Sequence, residues 1–133
     1  MLLAVRDLMF RVRLEAAVRS LGLPLHRADA RGVVEAAAGS RPDVVVLDLA
    51  DVEARPLDAM RALRADPRTA ALPVVGFAPH TDAGTRAAAR AAGCTLVVAR
   101  SRMAAAPADV LAPFLARARA GAASPDRNDD RRT

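Results

Sequence analysis

The chain has 133 residues, 53% of them apolar, and a formal charge of +5 whose basic side is entirely arginine. That length bounds it to one domain with room for a core, and the apolar share excludes a disordered chain. A single cysteine, Cys94, excludes an internal disulfide, no apolar run approaches the ~18 residues of a membrane span, and scattered arginines without Trp or Tyr offer no stacking set for nucleic acid.

Leu2 to Val5 reads as a first strand, short and fully apolar, with Arg6 and Asp7 at its carboxyl end. Asp7 can cap the helix that follows. From Leu8 to Leu21, apolar residues recur at Phe10, Leu14, Val18 and Leu21, which is helical spacing. Arg11, Glu15 and Arg19 stand four apart and are expected on the outward face. Gly22 should end the helix. Pro24 to Ala28 is a weak second strand, broken by His26 and Arg27 and placed near an edge; His26 reads as a surface histidine. Asp29 is expected to cap a short helix through Ala38, closed by Gly39.

Val44 to Leu47 is a β-branched and aliphatic run without alternation, as a strand buried on both faces requires. Asp48 ends it. A polar loop, Ala50 to Arg55, leads to Pro56 at a first helical position, and Leu57, Met60 and Leu63 give one apolar helical stripe. Pro67 breaks that helix. Leu72 to Phe77 reads as the fourth strand, and Thr81 or Asp82 caps a helix that stops before Gly93. Arg86 and Arg90 share one face of it; the other face is nearly all alanine. Thr95 to Ala99 is the fifth strand, with Arg100, Ser101 and Arg102 after it. A last helix carries Val110, Leu111, Phe114 and Leu115. Pro107 fits its first turn, and Pro113 implies a kink or a restart. The polar stretch 121–133 reads as a disordered tail after a single domain over 1–120. Cys94 reads as a small buried side chain.

Five βα units in sequence predict a flavodoxin-like, doubly wound parallel sheet of five strands in the order 2-1-3-4-5. In that fold Arg6-Asp7, Asp48, and the loops at Ala78 and Arg100 converge on one edge. Two carboxylates there could hold a hard cation such as Mg²⁺, and a carboxylate beside Mg²⁺ can accept a phosphoryl group.

With these residues placed, the chain resembles the receiver domain of two-component response regulators. The resemblance spans about Leu2 to Leu115. It rests on the βα count, Leu3-Ala-Val-Arg-Asp7, Pro42-Asp-Val-Val-Val-Leu-Asp48, Pro73-Val-Val-Gly-Phe77 and Ala92-Gly93. It implies a phosphoacceptor at Asp48 and a metal-binding acid at Asp7. Other positions depart from the family. Arg6 stands where a second acid is usual. Ala78 replaces Thr or Ser, Val97 the aromatic switch residue, and Arg100 and Ser101 the Lys and Pro. The loop after Asp48 lacks the family's usual Pro and Gly.

Arg6 adds a permanent cation that can pair with a carboxylate in place of a metal, and Arg100 can do the same from the other side. The reading is therefore a stand-alone pseudo-receiver in phosphorelay signalling. It is not phosphorylated, is not an enzyme, has no catalytic residues and needs no cofactor. It is expected in the cytoplasm, away from membranes. It acts on a protein partner or as a homodimer through the fourth helix, fifth strand and fifth helix, with Arg86, Arg90 and Arg102 on that surface. Two alternatives stay open. One is a functional receiver, with Mg²⁺, phosphorylated on Asp48 by a histidine kinase. The other is a small basic nucleic-acid-binding domain.

Overall fold

A computed structural model describes residues 1–115. Strands β1 (Leu2–Ala4), β2 (His26–Arg27), β3 (Val45–Asp48), β4 (Val74–Ala78) and β5 (Leu96–Ala99) are separated by helices α1 (Leu8–Ser20), α2 (Val33–Ser40), α3 (Pro56–Ala65) and α4 (Ala83–Ala91). Helix α5 (Arg100–Ala105) follows β5 directly, and α6 spans 107–115. All strand pairs are parallel, in the order β2-β1-β3-β4-β5. The expected sheet and strand order are observed. The domain boundary at 120 and the tail over 121–133 fall outside the described residues.

The sheet separates two cores, and the pleat decides which side chain enters each. Leu3, Val5, Val44, Val46, Val75, Phe77 and Val98 point to one face, where Phe10, Leu14 and Val18 of α1 meet Met103, Leu111 and Phe114. Leu2, Val45, Leu47, Leu49, Val74 and Val97 point to the other, against Val33, Met60, Leu63 and Ala89. Val44, Val45 and Val46 are all 0% exposed. This is why the third strand reads as a continuous apolar run. Gly76 belongs to the second face, and its lack of a side chain makes room for Leu49. A Cβ there would lie 2.7 Å from Leu49 Cδ1.

Local chemistry fixes most helix ends as expected. Asp7 Oδ1 accepts the Phe10 amide at 3.0 Å. Asp82, rather than Thr81, caps α4 by accepting the Thr85 amide at 3.0 Å. Pro56 opens α3. Gly22 (φ 71°) and Gly93 (φ 112°) supply the left-handed turns after α1 and α4.

Four expectations are corrected. Asp29 does not cap α2. Its Oδ1 accepts the Gly32 amide at 2.7 Å, which makes a turn and delays the helix to Val33. Gly39 lies inside α2, and the helix ends at Arg41 in a left-handed conformation (φ 49°). Glu15 is not on a solvated face. It is 4% exposed. Arg27 reaches from the edge strand to fork onto it, with Arg11 and Arg19 at 3.7 and 3.8 Å. Arg100, Ser101 and Arg102 are not a loop but the first turn of α5. The last helix starts at Pro107 as expected and runs through Pro113 without a restart.

Arg64 ties the opposite edge of the sheet together. Its guanidinium donates to the carbonyls of Gly93 (3.1 Å), Ala70 (3.1 Å) and Leu72 (2.8 Å). The side chain packs on Gly93, where a Cβ would lie 2.9 Å from its Cγ.

Candidate functional site

The carboxyl ends of β1, β3 and β5 bring Asp7, Asp48 and Arg100 together. Each strand supplies its residue at or just beyond its last position, so the convergence follows from the topology alone. Asp48 is 6% exposed. Its Oδ1 accepts the Ala50 amide at 2.9 Å, and its Oδ2 lies 3.6 Å from an Arg100 Nη. The other Nη of Arg100 donates to Asp7 Oδ2 at 2.8 Å. One guanidinium thus spans two carboxylates. It also lies over aromatic faces, 4.4 Å from the Phe10 ring centre and 5.5 Å from that of Phe77. Those rings contact each other at 4.6 Å. Cation–π attraction and two ion pairs together fix its place.

The two acids titrate in opposite directions. Burial pushes the Asp48 carboxyl above its ordinary value, and the Ala50 amide and Arg100 only partly offset this. Asp7 is held below the ordinary range, first by the Phe10 amide and then, against some desolvation, by Arg100.

Arg6 does not reach Asp48. Its guanidinium forks onto Asp51, at 2.5 and 2.6 Å, and touches Glu53 at 3.3 Å. Of the two arginines expected to neutralise Asp48, Arg100 is the one in contact. Asp51 and Glu53 are site residues that the sequence pattern did not single out. Ala78 is fully buried at the end of β4 and pairs with Ala99. Val97 packs in the core on the α3 and α4 side. Ser101 is exposed.

Of the expected partner surface, Arg90 and Arg102 are exposed. Arg86 is partly buried and donates to the His80 carbonyl at 2.9 Å. The most exposed apolar side chains lie elsewhere: Leu8 (59%), Met9 (80%) and Val12 (53%) on the first turns of α1, and Val52 (81%) in the loop after β3.

The resemblance to receiver domains raises the question of Mg²⁺. The ion needs several oxygen ligands in near-octahedral geometry. Asp7 and Asp48 both face the Arg100 guanidinium, which already supplies the positive charge. Among the described residues, no group of three or more His, Cys, Asp or Glu could hold a metal ion. The residues present do not fit Mg²⁺. His26 and His80 are exposed and outside the cluster. Cys94 is free, lies 3.4 Å from Met60 Sδ, and has its thiol pushed up to about 11 by burial. No described helix is long and apolar enough to cross a membrane.

No protein-family model and no curated protein matches the chain. Solved structures do match in fold. The receiver domain of a Pseudomonas aeruginosa sensor histidine kinase, with magnesium coordinated in its active-site cleft, is 22% identical. It matches with a TM-score of 0.72, over 86% of this chain and 95% of that one. The receiver domain of NtrX from Brucella abortus is 19% identical, with a TM-score of 0.72 over 86% and 96%. A response regulator from Hahella chejuensis is 17% identical, with a TM-score of 0.71 over 85% and 89%. The fold is thus that of receiver domains.

Proposed function

We propose that the chain is a receiver-like module of phosphorelay signalling that acts by protein contact, without phosphorylation of Asp48 and without a metal. The observation that carries this reading is Arg100, whose guanidinium lies against both Asp7 and Asp48. A phosphoryl group on Asp48 needs countercharge and oxygen-binding groups. Here the countercharge is already engaged, no metal-ligand cluster accompanies the two acids, and the β4 terminus offers only the Ala78 methyl. The likeness of fold to receiver domains of a sensor kinase and of response regulators supports the signalling class.

The contact surface in this reading is α4, β5 and the last helix, α6, with Arg90 and Arg102 on its rim. The exposed Leu8, Met9 and Val12 favour a second contact face on α1. In this reading the protein is a binding module, the charged groups of the site, Asp7, Asp48 and Arg100, being engaged with one another.

The test is intact mass after incubation with acetyl phosphate and Mg²⁺. No phosphoryl adduct is expected. A stoichiometric adduct that vanishes in Asp48→Asn would overturn the reading and restore a functional receiver.

A further inference from the structure

A second cleft opens on the α2 and α3 side of the same sheet edge. Its volume is about 430 Å³, within the range of small-ligand sites. Three loops and one helix build it: Arg6 after β1, Asp29, Ala30 and Arg31 after β2, Glu53 to Arg55 after β3, and Asp58, Ala59 and Ala62 on α3.

Four alanines, Ala30, Ala54, Ala59 and Ala62, line it without projecting side chains. The charged groups around them carry both signs. Arg6 is held by Asp51 and Glu53, and Arg55 by Asp58 at 2.7 Å. Arg31 is exposed and has no ion-pair partner among the described residues. Asp29 uses Oδ1 for the Gly32 amide, so its other oxygen is open to a donor. Glu53 is 86% exposed in its side chain and only loosely engaged, at 3.3 Å.

The geometry points to a binding site for a purine nucleoside phosphate. A flat base suits a surface of methyl groups. The phosphate suits Arg31 and Arg55, whose planar forks recognise such oxygens. The exocyclic amino group of an adenine base suits the open carboxylate oxygens of Asp29 and Glu53. A simple anion would use only half of this set, and an apolar ligand would leave the charges unanswered. The site shares Arg6 and Glu53 with the edge around Asp48, and it does not depend on whether Asp48 is ever phosphorylated.

Calorimetric titration of the full chain with AMP tests the proposal. Saturable binding is expected, with adenosine and inorganic phosphate each at least about tenfold weaker, since each keeps only part of the contacts. Arg31→Ala should weaken AMP by about tenfold or more, and Ala62→Phe should abolish binding by filling the cleft. Both positions are exposed, so the melting midpoint should hold. Should Ala62→Phe unfold the chain, Arg31→Glu on its exposed loop still decides. No AMP binding at millimolar concentration would overturn the proposal. So would phosphate binding as tightly as AMP, or variants that bind like the parent chain.

Discussion

Asp48 carries an energetic cost that its partners do not fully offset. Its folded pKa is raised above the ordinary 3.8, with burial the leading cause. The sign of the pH dependence follows from linkage. Below the unfolded pKa the group is protonated in both states and contributes nothing. As pH rises through the window up to the folded pKa, the folded state holds the proton more tightly, and stability falls. Above that window the whole cost of burying the charge is present. Asn resembles the protonated form and keeps an oxygen for the Ala50 amide, while Arg100 keeps Asp7. Asp48→Asn should therefore raise the melting midpoint at pH 7 by roughly 2–4 °C, the scale of ~1 kcal/mol in a domain of this size. Near pH 3 the two proteins should melt alike. Far-UV circular dichroism at both pH values checks this; a lower midpoint for the variant at pH 7 would mean that the attraction to Arg100 outweighs burial. At this scale the sequence was partly legible. Asp7, Asp48 and Arg100 meet because each ends or follows a strand, and strand ends can be read from the apolar runs. Arg6 could not be assigned its partner. Asp51 comes back to it only because the loop coils into a turn at Val52–Ala54 and leaves Arg55 left-handed (φ 52°).

At the scale of elements, Arg64 behaves as a fastener rather than a surface charge. It bonds carbonyls from the α3–β4 connection and the α4–β5 turn and, among the described residues, no carboxylate. Its planar fork reaches several acceptors at once, which a single ammonium cannot. Arg64→Ala should cost about 2–3 kcal/mol, from lost charge-assisted hydrogen bonds and lost packing of the stem. Arg64→Lys should recover less than half. Urea unfolding midpoints measure both; a Lys variant as stable as the parent would show that the fork geometry does not matter. Nothing in the spacing of residues 60–66 announces this role, because the acceptors are backbone carbonyls that only the fold brings to Arg64. The same blindness applies to Glu15. Arginines four residues to either side look like a solvated face, and only the arrival of Arg27 on the edge strand reveals a buried charge cluster. Pro56, Gly22 and Gly93 were dependable signals, since they act through their own backbone, whereas Gly39 lies inside α2.

The described residues form one sheet with a core on either side, and β3 belongs to both. Val46 is 0% exposed, lies between β1 and β4, and faces the core built with α1 and α6. Val46→Asp would place an unpaired charge there, at a cost comparable to the total stability of an ordinary domain. The variant should show no cooperative thermal transition by circular dichroism; a melt within a few degrees of the parent would contradict the central position of β3. The overall architecture was legible because alternation of buried runs and helical stripes is a global signal. The second cleft was not, because its walls come from segments joined only by the fold.

Arg100 also bears on time. A covalent mark has a lifetime, set by how fast it forms and how fast water removes it. A guanidinium held between two acids and laid on an aromatic ring has none, since no bond is made or broken to put it there. Under the reading proposed above, such a module cannot be reset by hydrolysis. Its message lasts as long as the polypeptide does, and the cell would adjust it through synthesis, degradation and the number of partners left to occupy.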